Sequence, residues 1–304
     1  MKPSAITLVC LDPLLLGTRL DKFLFSQFPE YSRTYFQELI DQGHVLVNNT
    51  ASKSNYSIKK ADQINVIFTI KQYNLAPQPV VFDVIDEQDD FIVINKPAGL
   101  LVHQATTASD EVSLVNGLLH RYQDLQKFDD AQRPGIVHRL DKNTSGLIIV
   151  ARNQQAHQEL CKLFKYRKIS KTYLAVVDQI PPLTGKIDLP IGRHPIERHK
   201  MGTFGIDTKP ALTHYKTLAQ YADSALLAAT IVTGRTHQIR VHFASQGHGL
   251  LGDATYGVAS PLIKRQALHA WKMSFEYKEK QYSYICPVPA DIRELLRQLS
   301  ASKR

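Results

Sequence analysis

Between Pro134 and Arg152 the chain reads PGIVHRLDKNTSGLIIVAR, and the polar centre of this stretch is where residue types and spacing could do chemistry. Asp141 stands there with Arg139 and Lys142 close by and with Asn143, Thr144 and Ser145 following. Cations and hydrogen-bond donors around a carboxylate favour its ionised form. An ionised carboxylate suits a nucleophile or a general base better than a general acid. The same pattern also fits a loop-capping aspartate in an ordinary ion pair. Apolar runs at 136–137 and 147–151, punctuated by Gly135 and Gly146, predict a strand, a loop and a buried strand.

His138-Arg139-Leu140-Asp141 followed by Thr144-Ser145-Gly146-Leu147 resembles the signature of the RluA-type pseudouridine synthases. The resemblance makes Asp141 the catalytic residue and Arg139 a substrate-binding one. Three further stretches carry it. Asn95 to His103, NKPAGLLVH, resembles the family's first motif, a strand and turn beside the cleft, with Gln104 where a proline is usual. Lys171 to Val177, KTYLAVV, resembles the second, whose tyrosine, here Tyr173, stacks on the target base. Thr233 to His242, TGRTHQIRVH, and Gln246 to Asp253, QGHGLLGD, resemble the third, which pairs Arg240 with the catalytic aspartate. The chemistry agrees, because a guanidinium keeps its charge and would hold Asp141 ionised. His237 and His242, five residues apart, lack a third ligand nearby, so no metal is expected.

These residues need elements to hold them. Residues 91–95 read as a strand ending in a turn at Lys96-Pro97-Ala98-Gly99, and residues 113–122 and 154–165 as helices. The acidic run 83–90 reads as a solvated surface facing away from any polyanion. Lys162, Lys165, Arg167, Lys168 and Lys171 place five cations in ten residues, interleaved with Phe164, Tyr166 and Tyr173, the strongest local nucleic-acid pattern in the chain. Lys165, Arg167 and Lys168 are the expected RNA contacts, although a solvated helix end would look alike. Residues 193–200 form a second basic loop, and residues 209–215 resemble a family strand. Residues 268–271 and 286–289 read as closing core elements of the sheet.

Residues 18–70 read as a separate module. Thr18 is placed to cap a first helix, with Asp21 at its third position and Leu20, Phe23, Leu24 and Phe28 at helical spacing. A second helix is expected after Ser32, burying Phe36, Leu39 and Ile40 and stopping at Gly43. A strand at 45–47, a turn at Asn48-Asn49 and a strand at 63–70 follow. This αα-ββ order, with RLDKFL and GHVLVNN, resembles the S4 RNA-binding domain. Arg33, near a helix start that favours phosphate, and Lys22 are its expected RNA contacts, with solvated surface cations as the alternative. The boundary is drawn at the Pro77–Pro79 connector, giving domains 1–75 and 76–304.

Bulk properties fit. The 304 residues exceed one typical domain, and a net charge of +9 suits a polyanionic partner. Three scattered cysteines without a C-x-x-C pair fit a reducing cytoplasm. The apolar run 5–11 lacks the features of a signal peptide, and no run approaches the ~18 residues of a membrane span. The expected fold class is α+β, a small αα-ββ S4 domain followed by a catalytic domain with a mixed, mostly antiparallel sheet. By resemblance the activity is isomerisation of RNA uridines to pseudouridine without any cofactor, in a cytoplasmic monomer that binds no membrane. Large-subunit ribosomal RNA is the expected target, with transfer RNA as the second choice. Asp141 could attack C1′ of the sugar or remove the C2′ proton to give a glycal. The rival readings are a non-catalytic S4-type RNA-binding or ribosome-assembly protein and a hydrolytic base glycosylase.

Overall fold

The computed structural model describes residues 5–29, 31, 33–68, 75–104, 111–128 and 133–301. The chain divides into two compact units, Met1–Gln72 and Tyr73–Arg304. Each has its own apolar core.

The first unit comprises β1 (Ala5–Val9), α1 (Leu20–Gln27), α2 (Arg33–Asp41), β2 (Val45–Val47), β3 (Thr50–Ala51) and β4 (Gln63–Ile67). Its strands pair antiparallel in the order β1-β4-β2-β3. Leu20, Phe23 and Leu24 of α1 and Phe36, Leu39 and Ile40 of α2 meet Ile64 and Val66 in the core, as their periodicity demands. Asn48 and Asn49 both adopt left-handed angles, φ 52° and 62°, the geometry of a tight hairpin turn.

Several sequence expectations are corrected in this unit. The αα-ββ pattern is incomplete, because the apolar run at the N-terminus forms β1 and a short β3 completes a hairpin. Thr18 does not cap α1; Arg19 occupies that position without a side-chain cap. Asp21 is instead fully buried and accepts from Arg19 Nε at 3.0 Å, Arg33 Nε at 2.9 Å and Gln37 Nε2 at 2.6 Å, tying α1 to α2. Burial opposes its ionisation, but these donors outweigh that and hold the carboxyl below the usual range. Ser32 and residues 69–70 of the expected second strand lie outside the described residues.

In the second unit, β5 (Asp83–Glu87), β6 (Phe91–Lys96), α3 (Leu114–Arg121), β7 (Ser145–Ala151), α4 (Gln154–Lys165) and β8 (Ser170–Asp178) come first. Then follow β9 (Thr184–Asp188), β10 (Ile191–Arg193), β11 (Met201–Gly202), β12 (Ile206–Lys209), β13 (Leu212–Gln220) and β14 (Ser224–Ile231). The chain continues through α5 (Gln238–Ser245), β15 (Leu268–Tyr277), β16 (Lys280–Ile285) and α6 (Ala290–Ala301). The main sheet runs β5-β6-β7-β15-β8-β14-β13-β9, with β16 paired to β15. Every pairing in it is antiparallel except β7 with β15, so the sheet is mixed and mostly antiparallel and the fold is α+β. A small second sheet has the order β11-β10-β12.

The acidic run 83–90 is not a free surface but an edge strand and its turn. Asp86 accepts from Tyr284 Oη at 2.6 Å, and Asp90 accepts from Lys278 Nζ at 2.7 Å and from Asn153 Nδ2 at 2.9 Å. The expected strand at 136–137 reduces to one bridge, Ile136 to Val150. The expected strand at 209–215 is broken at Pro210, with Lys209 ending β12 and Leu212 opening β13 in the other sheet. Arg193 lies in a strand rather than in the basic loop. Residues 286–289 link β16 to α6, a helix that sequence pattern did not reveal.

Strand β15 is central because β8 lies along one edge while β7 and β16 share the other. Its parallel contact with β7 depends on Gly146, at φ +111°, where a Cβ would fall onto the Ala270 carbonyl oxygen. Gly146→Ala must therefore open that pairing or strain the backbone. We expect a loss of about 1–3 kcal/mol, read by chemical denaturation of the full chain. An unchanged midpoint would mean that β7 and β15 do not approach this closely.

Candidate active site

Asp141 follows directly on the buried Leu140, in the loop that leads into β7. The loop is held from beneath by Lys96, whose fully buried side chain donates to the carbonyl oxygens of Pro97 and Leu100 at 2.8 Å and of Lys142 at 3.0 Å. Three carbonyls match the three protons of an ammonium group, whereas burial and the Arg265 charge push Lys96 down to about 7. Gly99 N–H reaches the same Lys142 carbonyl at 2.9 Å. The turn 97–100 thus clamps the loop. On its far side Arg265 donates to Asn143 O at 3.0 Å while both its Nε and its Nη2 bond Asp291 of α6.

Asp141 is one wall of a cleft of about 530 Å³ that also takes in Arg139, Phe164, Lys165, Arg167, Lys171, Tyr173 and the loop 231–240. Arg240, in the first turn of α5, donates to Asp141 Oδ2 at 3.0 Å. It is itself gripped by Asp253, through Nε to Oδ2 at 2.7 Å and Nη2 to Oδ1 at 2.9 Å. Side-chain exposure falls from 22% at Asp141 to 8% at Arg240 and 1% at Asp253. Burial opposes the Asp253 charge, yet Arg240 and the amides of Thr255 and Tyr256 overcome it and hold the carboxyl below the usual range.

The first turn of α5 is built by Gln238. Its Oε1 accepts from Thr233 Oγ1 at 2.7 Å and Arg235 N at 3.0 Å, and its Nε2 donates to Leu212 O and Thr213 Oγ1, both at 3.0 Å. All of its polar capacity is used to lock the TGRTHQ loop onto β13. His237 just before it is left-handed, φ 57°, an unusual state for a residue with a side chain. Its Nδ1 lies 2.7 Å from Tyr256 Oη and its Nε2 3.9 Å from Asp141 Oδ1. Burial lowers the His237 pKa, with Asp141 opposing the shift, so the ring is neutral near pH 7. Tyr256 Oη also accepts from Met201 N at 2.8 Å, so the phenol ties the His237 ring to β11.

Tyr173 is buried, 7% exposed, on β8 between Ala270 of β15 and Ala229 of β14. Alanines on both neighbouring strands leave room for its ring at the cleft. Burial and the Asp141 charge raise its phenol well above the ordinary range and keep it neutral. His138 accepts the Ile149 amide at 3.0 Å through Nε2 and stacks on Phe164, centroids 4.6 Å apart. Burial and the Lys171 charge push it down to about 3, so it is a neutral structural group. Lys171 lies over Phe164, 5.3 Å from the centroid, and burial pushes it down to about 8.

The structure therefore gathers Asp141, Arg139, Tyr173, Arg240, Lys165 and Arg167 around one cleft. Lys168 does not line it and is exposed. Its amide instead closes the end of α4 on Leu163 O at 2.8 Å, with Arg167 left-handed at φ 57° where glycine is usual. Lys22 is exposed in the first unit, and Arg33 there is already paired with Asp21 at 2.8 Å. His242 is turned away from Asp141 into Thr213 and Leu189. Among the described residues no cluster of three His, Cys, Asp or Glu could hold a metal. Sequence reasoning gave no role to Asp253, Lys96, Tyr256 or Gln238. The quoted motifs contained three of these, but nothing in their spacing told which partner each would find.

Comparison with known proteins completes this picture. Residues 90–245 match the RNA pseudouridylate synthase family model, and residues 18–64 match the S4 domain. The ribosomal large subunit pseudouridine synthase D of Neisseria meningitidis serogroup A is 40% identical over 301 residues, spanning 94% of this chain and 79% of that protein. An uncharacterized RNA pseudouridine synthase of Bacillus subtilis is 39% identical over 286 residues, spanning 92% of this chain and 94% of its own length. Human RNA pseudouridylate synthase domain containing 4 superposes with a TM-score of 0.58 at 25% identity, covering 71% of this chain and 92% of that one. Helices long and apolar enough to cross a membrane are absent among the described residues. With the motif residues converging on one cleft and relatives matching along most of the chain, the protein belongs to the RNA pseudouridylate synthase family and is an RNA pseudouridine synthase, an isomerase.

Proposed function

We propose that Asp141 is the carboxylate that acts on the uridine sugar and that the target lies in large-subunit ribosomal RNA. The observation that carries the first part is the Asp141–Arg240–Asp253 chain. Arg240 takes Oδ2 of Asp141, a side chain that lines the cleft, and Oδ1 lies 3.9 Å from His237 Nε2. That oxygen could attack C1′, breaking the bond to N1, or take the C2′ proton to give a glycal. In either route the uracil turns, C5 bonds to the sugar, and the C5 proton is lost while N1 gains one. Asp141 is thus the reacting group, Arg240 its holder and Tyr173 the stacking surface for the base. Flipping a uridine out of folded RNA costs a few kcal/mol, and roughly 1–3 kcal/mol of this returns through stacking on an aromatic ring. Arg139, Lys165 and Arg167 line the same cleft and supply phosphate or sugar contacts.

The ribosomal target is supported by the name of the Neisseria relative and by the S4 match at residues 18–64. We assign RNA anchoring to that unit, with Lys22 exposed on α1 and Arg33 offering to phosphate whatever its pair with Asp21 leaves free. We propose that the protein acts as a monomer, and a ribosomal substrate supports action in the cytoplasm. Mapping pseudouridines in large-subunit RNA from cells with and without the protein tests the target. An unchanged map would refute it.

Asp141→Asn should abolish isomerisation while leaving RNA affinity within a few-fold, because phosphate contacts dominate binding. Product formation near the wild-type rate would remove Asp141 from the chemistry.

Arg240→Ala should also be costly to the fold. It strands Asp253 as a buried charge, at about 3–5 kcal/mol. Asp141→Asn, in a half-open cleft, should leave the unfolding midpoint near wild type. The depressed Asp253 carboxyl contributes stability that is full above its unfolded value of 3.8 and is lost as pH falls through the folded one. Acid unfolding profiles should therefore be flatter for Asp253→Asn than for wild type. Equal profiles would mean that Arg240 does not stabilise this charge.

Removing residues 1–72 takes away one core and leaves the other whole. The remaining chain should bind the ribosomal target more weakly, with the slope of log affinity against log salt reduced by roughly 0.7–0.9 per lost phosphate contact. Turnover at saturating RNA should persist. A folded fragment with an unchanged salt slope would show that the S4 unit is no RNA anchor.

A further inference from the structure

Past Gly234, Arg235 and Thr236 the Asp141 cleft runs into a second groove of about 430 Å³. This groove lies between the small β11-β10-β12 sheet and the loop before α5. Its walls carry four cations, Arg193, Arg198, Lys209 and Arg235, against one carboxylate, Asp207. Glu197, the other acid of this region, is held by Lys200 at 2.7 Å. Arg193 donates to the Arg198 carbonyl, and Arg235 Nε donates to Pro210 O at 3.2 Å. Those bonds to neutral carbonyls fix two guanidinium groups in place without neutralising them. Cations crowded this way repel one another and create a strong positive potential, which a polyanion relieves.

Two apolar side chains of the segment that joins β11 to β12 and opens β12 are exposed to solvent. Phe204 is 60% exposed, and Ile206, which lines the groove, is 53% exposed. Phe204 stands at the surface with its ring edge-on to His194, centroids 5.4 Å apart. Cations that track a backbone, beside an aromatic that can take a base, are the two components of single-strand binding. The groove is also within the range of about 300–1,000 Å³ common to sites for small ligands, so it has room for a nucleotide.

A uridine flipped into the cleft stays bonded to its neighbours, so the strand must leave the cleft along an open edge. The shared wall at 234–236 makes this groove the cationic exit. We propose that it holds the unpaired nucleotides next to the target uridine, with phosphates on Arg198, Lys209 and Arg235 and a base against Phe204. The inference rests on the reading of the Asp141 cleft as the place that takes the uridine.

The test measures the affinity of a fluorescently labelled oligouridylate for the full-length protein across a range of salt concentrations. Arg198→Ala combined with Lys209→Ala should weaken binding ten-fold or more and lower the salt slope by about 1.4, two single-strand phosphate contacts at roughly 0.7 each. Phe204→Ala should cost about five-fold or more with the slope unchanged. Arg198→Lys with Lys209→Arg should restore the wild-type slope, which separates charge from a folding defect. A wild-type protein that does not bind the probe would overturn the proposal. So would an unchanged slope in the double alanine variant, or an RNA duplex that competes as well as the single strand. An unchanged slope together with normal pseudouridine formation in large-subunit RNA would sink the groove alone. Intact groove binding with an unchanged pseudouridine map would sink the ribosomal target instead.

Discussion

The site depends on one guanidinium shared unequally between two carboxylates. Arg240 makes two short bonds to Asp253, which is buried, and one longer bond to Asp141, which reaches the cleft. A buried pair repays its desolvation only with good geometry and further hydrogen bonds. Asp253 meets that condition, since the amides of Thr255 and Tyr256 also bond it and the Tyr256 ring lies 5.0 Å from the guanidinium carbon. The pair therefore acts as a fixed point from which Arg240 orients Asp141. Of the two carboxylates that share the guanidinium, the more exposed one, Asp141, is the one that lines the cleft.

Holding Asp141 against that fixed point is the task of the sheet. Its loop enters β7, and β7 is brought beside β15 by the only parallel strand pairing of the main sheet among the described residues. Gly146 allows that approach, and Lys96 and Arg265 secure the loop on either side through backbone carbonyls. Both cations are bonded to main chain rather than to Asp141, so they set the loop's position without competing for the carboxylate. Tyr173 reaches the same cleft from β8, on the other edge of β15. One strand therefore sets the spacing between the Asp141 loop and Tyr173.

The first unit uses the same device for a different end. Asp21, fully buried, gathers Arg19, Arg33 and Gln37 and joins α1 to α2. Here the carboxylate is closed off from solvent, and the satisfied cluster is structural. Breaking it would leave an unpaired charge inside a small core, so the arrangement specifies how the two helices meet.

Periodicity and local motif were enough to determine much of this protein. Helix α4, the buried strand β7, the α1 and α2 faces and the Asn48-Asn49 turn all follow from short-range pattern, because apolar spacing and turn chemistry act over a few residues. The motif residues Asp141, Tyr173 and Arg240 were likewise named from sequence, and the structure brings them to one cleft. Tertiary structure decided what each polar side chain does. The acidic run became an edge strand because tyrosines and a lysine from 187 to 198 positions away bond its carboxylates. Lys96 was placed in a turn, yet it is buried because carbonyls from two segments converge on it. Asp253 had no visible partner, since its link to Arg240 exists only once α5 and the loop after it fold against each other. Local pattern encodes which face is apolar, whereas the partner of a buried charge is a property of the packed chain.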